Sequence, residues 1–154
     1  MNNFDDLFEQ QPQAEAAPQK QESQKERPKR QWWQIREEKQ RKEAYASLDK
    51  IFGAFAEGNG NMEAYLDVQS RFPFHSARNA LLIGAQCPQA QRVGGYKEWT
   101  AQGIEILEEE KRLPIIILEP GNTYRRKDGS TGQNYYAKEV YDISQTTAQG
   151  QEQP

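Results

Sequence analysis

The chain has 154 residues, of which 35% are hydrophobic and 28% are charged, and 20 Lys and Arg residues against 23 Asp and Glu residues give a formal net charge of −3. The low apolar content predicts that part of the chain cannot bury enough surface to fold, and the net charge excludes a uniformly basic protein while allowing a local basic face. The single cysteine, Cys87, excludes an internal disulfide, and the single histidine, His75, excludes a multi-histidine metal site.

Residues 1–30 predict a disordered, Gln-rich arm, because residues 10–30 contain almost no large apolar side chain. At the tip, Phe4, Leu7 and Phe8 are spaced as on one turn of an amphipathic helix and are flanked by acidic residues. They are either a motif that docks in a partner's groove or isolated apolar residues in a tail. Residues 147–154 also look like a flexible tail, so we expect the folded domain to span residues 31–146.

The first predicted helix is long, running from about residue 31 to residue 57. Ala44, Leu48 and Ile51 lie on one helical stripe. Gly58 is expected to end the helix. The charged first half of this helix is expected to face solvent.

Three shorter helices are predicted to follow. One starts at Asn61 as its N-terminal cap and stops before Pro73. The next starts at Ser76, is apolar on nearly all sides and ends before Pro88, so we expect it to be the buried central helix. The fourth covers about residues 95–102.

The second half of the chain has the period and composition of strands. Residues 104–107 suggest a short strand, and the β-branched run 115–118 predicts a buried strand. Residues 123–127 and 133–143 flank an Asp-Gly dipeptide, which predicts a β-hairpin. The expected fold class is therefore α+β, with N-terminal helices packed on a small antiparallel sheet that carries a C-terminal hairpin.

The sequence gives little support for catalysis, membrane insertion or export. Cys87 follows a predicted helix end and His75 is the only histidine base available to it, so a packed thiol is the simpler interpretation. The consecutive carboxylates at 108–110 point in different directions and indicate a solvated loop. No apolar run approaches the ~20 residues of a membrane-spanning helix, and the acidic N-terminus is unlike a secretion signal. We expect a non-enzymatic, cytoplasmic protein without a metal or cofactor.

Basic and aromatic residues are interleaved in two segments. Residues 71–99 contain four basic residues against one acidic residue, and residues 123–141 contain four against two. Proteins that bind single-stranded nucleic acid combine cations that follow the phosphates with rings that stack on bases. The alternative is that the rings belong to the core and the cations are ordinary surface residues.

A series of spaced residues carries a resemblance to a known family. The series comprises Phe74, Ser76, Asn79, Leu81-Leu82-Ile83, Gln86, Pro88, Ala90, Val93, Gly95-Tyr96, Trp99, Gly103, Ile115-Ile116-Ile117, Pro120 and the segment Val140-Tyr141-Asp142-Ile143-Ser144-Gln145-Thr146. With these residues the chain resembles the N-terminal, single-stranded-DNA-binding domain of the ArdC-like antirestriction proteins of plasmids and conjugative elements.

The sequence departs from that family in two ways. Full-length relatives typically continue into a zinc peptidase-like domain with an H-E-x-x-H motif, which is missing here, so no metal or peptidase role is expected. The family's basic, Gly-containing turn before the central strand is replaced by the acidic stretch 108–110, so Lys111 and Arg112 are not among the expected contacts.

The resemblance implies non-catalytic binding of single-stranded DNA in plasmid transfer or antirestriction, in a groove between the helices and the hairpin. Asn79 and Gln86 are two helical turns apart, so they either bond the hairpin backbone, which we favour for Asn79, or line the groove; for Trp99 we favour packing. The candidate nucleic-acid-binding residues are Arg71, His75, Arg78, Gln86, Arg92, Tyr96, Lys97, Arg125, Arg126, Lys127, Tyr135, Tyr136 and Lys138. The alternative function is a protein-interaction adaptor, or an inhibitor of a host enzyme, acting through the acidic Phe4/Leu7/Phe8 tip.

Overall fold

The computed structural model describes residues 29–150, and the fold is the unit that begins at Trp32. The predictions for the Gln-rich arm and for the Phe4/Leu7/Phe8 tip concern residues outside the described range. The described elements are α1 Trp32–Ala56, α2 Met62–Arg71, α3 Ala77–Gln86, β1 Val93–Gly94, α4 Tyr96–Ala101, β2 Ile115–Arg125 and β3 Thr131–Asp142, with single 3-10 turns at Glu108–Glu110 and Ile143–Gln145. The predicted α+β class is confirmed. None of the helices in the described range is long and apolar enough to cross a membrane.

The helix ends follow from local signals in the sequence. The Asn61 side chain accepts a hydrogen bond from the backbone N–H of Ala64 at 2.9 Å, and Ser76 caps α3 in the same way. Gly58 follows α1 with a φ of +79°, a conformation that favours glycine. All four predicted helices are confirmed, and α3 is the buried one.

Two predictions about strands are wrong. Residues 104–107 form no strand; Ile106 makes an isolated bridge to Thr146 before the chain enters a 3-10 turn. The predicted strands 115–118 and 123–127 are one long strand, β2, which continues through Pro120 with an irregularity between Pro120 and Thr123. Pro120 itself stays in register with Tyr135, and its nitrogen faces the open edge of the ribbon, so the missing N–H breaks no bond between the strands.

The sheet is essentially a two-stranded ribbon. The strand order is β1-β3-β2 and all neighbours are antiparallel. However, β1 pairs with β3 only at two positions, whereas β2 and β3 pair along almost their whole length. A two-stranded ribbon is marginally stable unless other elements pack on it, and here the helices cover both of its faces.

The core forms on the two faces of this ribbon and around Trp99. One face packs against α2 and α3 through Val68, Phe72, Ala80, Ile83, Ala90, Ile115, Ile117 and Val140. The other face packs against α1 through Ala44, Leu48, Leu82 and Leu118. A third cluster joins Trp99, Ile106, Tyr141, Ile143 and Ala148. Since α3 contributes to both faces, it occupies the edge of the ribbon, where another strand would otherwise pair.

The free edge of β2 is paired by two side-chain amides of α3. Asn79 donates to the carbonyl of Leu118 and accepts from its N–H, each at 2.9 Å. Gln86 makes the same pair of bonds with Ile116, at 2.8 and 2.9 Å. The amide groups therefore substitute for the backbone of a missing strand. The structural role favoured for Asn79 is what these contacts show, and Gln86 shares it, so the inclusion of Gln86 among the nucleic-acid contacts is corrected.

The opposite edge of the ribbon is covered by α1. The Glu37 carboxylate accepts a hydrogen bond from the backbone N–H of Ala137 at 2.9 Å. Arg36 and Gln40 both hold the carboxylate of Glu139, each at 2.7 Å. The charged first half of α1, expected to face solvent, thus partly binds β3.

The segment 140–146, the last of those that carry the family resemblance, holds the end of β3 in place. Asp142 is buried, and its carboxylate accepts bonds from the backbone N–H groups of Gln91, Arg92 and Ser144 and from the Ser144 hydroxyl. Gln145 completes a capping box with Asp142. This arrangement ties the end of β3 to the chain before β1.

The ordered chain extends past the expected boundary at residue 146. The backbone N–H of Thr147 donates to the carbonyl of Glu105, and Ala148 packs in the Trp99 cluster with 5% of its surface exposed. Residues 147 and 148 of the predicted C-terminal tail are therefore packed on the domain.

Replacing Asn79 with leucine is expected to lower the free energy of unfolding by about 2 kcal/mol, because the backbone groups of Leu118 lose their partners inside the protein. Urea denaturation measures the change. Asn122→Leu, an exposed position in the hairpin, is the control and should change it by less than about 0.5 kcal/mol. An Asn79 variant as stable as this control would show that the edge bonds contribute little.

Candidate nucleic-acid interface

Beyond Glu119 the hairpin leaves the core and forms an arm, here defined as residues 120–134. Residues 120–131 are all exposed. The turn at the tip is closed by the Arg126 N–H, which donates to the carbonyl of Ser130 at 2.7 Å, and Gly129 there has a φ of +88°. The Asp-Gly turn predicted from the sequence is confirmed.

The acidic residue of the arm is engaged in the turn. Asp128 Oδ1 accepts hydrogen bonds from the Ser130 hydroxyl at 2.6 Å and from the Ser130 N–H at 2.9 Å. These bonds hold the pKa of Asp128 below its usual value. Its carboxylate shapes the tip instead of pairing with a cation.

Three consecutive cations stand at the tip without a carboxylate partner. Within residues 29–150, Arg125, Arg126 and Lys127 form no ion pair. Arg126 donates to the carbonyl of Thr131 at 2.9 Å, and its guanidinium lies 5.6 Å from the ring centre of Tyr124. The tip is therefore a local basic site on a protein of net negative charge.

A groove of about 630 Å³ opens at the foot of the arm. Its aromatic and charged lining residues are Phe74, His75, Arg78, Glu119 and Tyr135. The Phe74 side chain is fully exposed. The Arg78 guanidinium lies 4.2 Å from the ring centre of Tyr135, a cation–π contact that leaves its charge without a carboxylate partner among the described residues.

His75 faces this groove as a neutral base at pH 7. Its ring packs edge-on against Phe72, with the ring centres 5.7 Å apart. Partial burial lowers the pKa of His75; the carboxylates of Glu98 and Glu119 oppose this effect without cancelling it, and Lys138 adds to it. At pH 7 the imidazole therefore interacts with a ligand mainly through hydrogen bonds and contributes little positive charge.

Lys138 is neutralised by two carboxylates. Its Nζ lies 2.9 Å from Glu98 Oε1 and 3.0 Å from Glu119 Oε1, and the Tyr136 hydroxyl donates to Glu119 Oε2 at 2.6 Å. Burial acts against the charged forms of Lys138 and Glu119, but the hydrogen bonds outweigh it, raising the pKa of Lys138 and lowering that of Glu119. The expectation of Lys138 as a phosphate contact is corrected, because its charge is already compensated.

Arg71 also belongs to the framework. Its guanidinium donates to the carbonyls of Ala90 and Pro88 at 2.9 and 2.6 Å and pairs with Asp67 at 2.7 Å. These contacts fix the loop after α3. Arg71 is therefore removed from the candidate contacts for the same reason as Gln86.

Arg92, Tyr96 and Lys97 lie in or next to α4 and not in the groove. The Arg92 guanidinium donates to Gln102 at 2.7 Å and lies 5.1 Å from the Trp99 ring centre. Tyr96 lines a separate pocket of about 320 Å³, which shares no lining residue with the groove. All three are exposed, but the structure does not bring them together with the arm.

Trp99 and Cys87 are packing residues. Trp99 is 1% exposed and its indole N–H donates to the carbonyl of Tyr141 at 3.0 Å, in line with the packing role favoured for it. Burial, followed by the Asp142 carboxylate, raises the pKa of Cys87, which disfavours a reactive thiolate.

The structure thus brings His75, Arg78 and Tyr135 together in the groove and places Arg125, Arg126 and Lys127 on the arm above it. Two rings join them that were absent from the candidate list, Phe74 and Tyr124, both exposed. Their signal was already in the sequence, since each lies near a cation. What the sequence lacked was a way to tell an exposed ring from a core ring.

Comparisons with protein-family models, curated proteins and solved structures found no match. Within residues 29–150, no group of three His, Cys, Asp or Glu side chains is placed to hold a metal ion.

His75 is expected to make stability depend on pH. Because its folded-state pKa lies below the unfolded value of 6.5, the unfolded chain binds more protons there, and the free energy of unfolding should fall as the pH drops through about 6.5. Urea denaturation between pH ~7.5 and ~5.5 measures this slope. His75→Gln should flatten it, and equal slopes in both proteins would contradict the assignment.

Proposed function

We propose that this domain binds single-stranded DNA without catalysing a reaction. The observation that carries the proposal is the exposed arm, on which Arg125, Arg126 and Lys127 have no carboxylate partner among the described residues, and on which Arg126 lies close to the exposed ring of Tyr124. Cations of this kind follow the phosphates, and their binding releases counterions, so affinity falls with salt. The adjacent rings supply the second part of the mechanism.

Base stacking favours an unpaired strand over a duplex. The face of a base is accessible to a protein ring only when the base is not stacked inside a duplex, and each such contact contributes ~1–3 kcal/mol. In the groove, Phe74 offers an uncovered ring, and Arg78 and Tyr135 form a stacked pair beside it. A strand whose backbone follows the arm would reach these rings at its foot, with little selection for sequence.

The biological setting rests on the resemblance to the ArdC-like proteins. A cytoplasmic protein of this type would cover the single strand that enters a cell during plasmid transfer, or interfere with host restriction of the incoming DNA. Of the groove residues, Phe74 is one of those that carry the resemblance, and Tyr135 lies between two others, Pro120 and Val140.

Reversing the three arm cations, as Arg125→Glu, Arg126→Glu and Lys127→Glu together, should reduce affinity for oligo-dT at least tenfold at ~0.1 M salt. The slope of log affinity against log salt should fall by about 2, since each phosphate contact to a single strand contributes ~0.7. Fluorescence anisotropy of a labelled oligonucleotide measures both quantities.

The matched control reverses three exposed lysines of α1, Lys39, Lys42 and Lys50, and changes the net charge by the same amount. It should bind almost as well as the unmodified protein. Equal losses in both triple variants would mean that only net charge matters, and unchanged binding in the arm variant would remove the arm from the site.

Phe74→Ser should weaken oligo-dT binding severalfold, because a stacking ring is lost. Its free energy of unfolding should change by less than about 0.5 kcal/mol, since the residue is fully exposed in the described part of the chain. Leu113→Ser, at another exposed apolar residue, is the control for binding. If both variants bind equally well, the groove is not part of the interface.

A further inference from the structure

Two tyrosines of the ribbon each lie against a glycine of the opposite strand. Tyr124 is directly opposite Gly132 in the register, and a Cβ atom added to Gly132 would clash with the Tyr124 ring. A Cβ added to Gly121 would lie 3.4 Å from Cδ1 of Tyr136. Each ring therefore lies close to the backbone of a glycine. Any other residue in place of that glycine would present a side chain to the ring.

The two rings remain accessible although they are held in place. Tyr124 is 44% exposed and Tyr136 is 41% exposed. The Tyr136 hydroxyl is fixed by Glu119 at 2.6 Å, and the Arg126 guanidinium lies near the Tyr124 ring. A ring that is already oriented loses little conformational freedom when a ligand stacks on it, which favours binding.

Both rings lie on the same face of the ribbon. Side chains alternate along a strand, so Gly132 and Tyr136, four residues apart in β3, point to one face, and the Tyr124 ring lies on Gly132. At ~3.3 Å per residue the two positions are ~13 Å apart. With ~3.4 Å between stacked nucleotides of one strand, this distance corresponds to about four nucleotides, or to fewer in a stretched strand.

We infer that Tyr124 and Tyr136 are two preset stacking sites for the bases of one unpaired strand, on a face of the ribbon distinct from the groove wall formed by Tyr135. The inference rests on the proposed function and deepens it. The cations of the tip bind phosphates, while the tyrosine face holds bases without reading their identity, because every base has a ring face. Gly132, opposite Tyr124, leaves the space in which that ring lies.

The test uses Tyr124→Leu and Tyr136→Leu, separately and together, in the full chain, with Tyr124→Phe and Tyr136→Phe as matched controls that keep the rings. The probes are a labelled oligo-dT of about 16 nucleotides and an abasic strand with the same number of phosphates. Each leucine variant should bind oligo-dT about tenfold more weakly, with an unchanged salt slope. Tyr124→Phe should bind like the unmodified protein, and Tyr136→Phe, which keeps the ring but loses its bond to Glu119, should bind more tightly than Tyr136→Leu. All variants should bind the abasic strand equally.

Equal losses on oligo-dT and on the abasic strand would overturn the inference, because the tyrosines would then act only through the shape of the ribbon. Normal oligo-dT binding by the double leucine variant would overturn it as well, while leaving the proposed function intact. If the unmodified protein fails to bind oligo-dT at all, the proposed function itself is wrong. Urea denaturation of each variant confirms that the domain remains folded.

Discussion

The hydrogen-bonding groups on the two open edges of the ribbon are the constraint on which this fold depends. Backbone groups buried without partners are costly, and a ribbon of two strands has such groups along both sides. The amides of Asn79 and Gln86 complete one edge, and the carboxylate of Glu37 contributes to the other. Pro120, the next edge-facing position after Leu118, has no N–H to leave unpaired. Helix side chains thus take the place of neighbouring strands, which explains how so small a sheet supports a domain.

The same constraint separates the ribbon into a framework and an arm. Where helices cover it, the charged residues are compensated, as Lys138 is by two carboxylates. Beyond Pro120 no helix packs against the described ribbon, and Arg125 and Lys127 remain without ion pairs there. An uncompensated charge is best placed for an external anion, because no internal contact has to be broken before it binds. The proposed DNA contacts therefore concentrate on the part of the ribbon that contributes least to the core.

Local chemistry explains which elements could be predicted. Asn61 and Ser76 cap helices through bonds to residues three positions away, so their effect is visible in a short stretch of sequence. The β-strand predictions depended on distant partners and were less accurate. The segment 104–107 has no pairing strand in the described range and makes a single bridge, from Ile106 to Thr146. The continuity of β2 through Pro120 arises only because β3 pairs on both sides of the bulge.

For the candidate site, too, local features could be predicted from the sequence, whereas features that depend on distant neighbours could not. The sequence by itself determined the fold class, the helix ends, the Asp-Gly turn and the presence of cations and rings in two segments, since these follow from side-chain type and short-range spacing. Only the tertiary structure decided which of those side chains are free. Arg71, Gln86 and Lys138 are bonded to groups between 4 and 40 residues away in the chain, whereas Phe74 and Tyr124 are left exposed. Whether a charge is compensated or a ring is covered depends on neighbours that folding brings together, and such neighbours leave no local pattern.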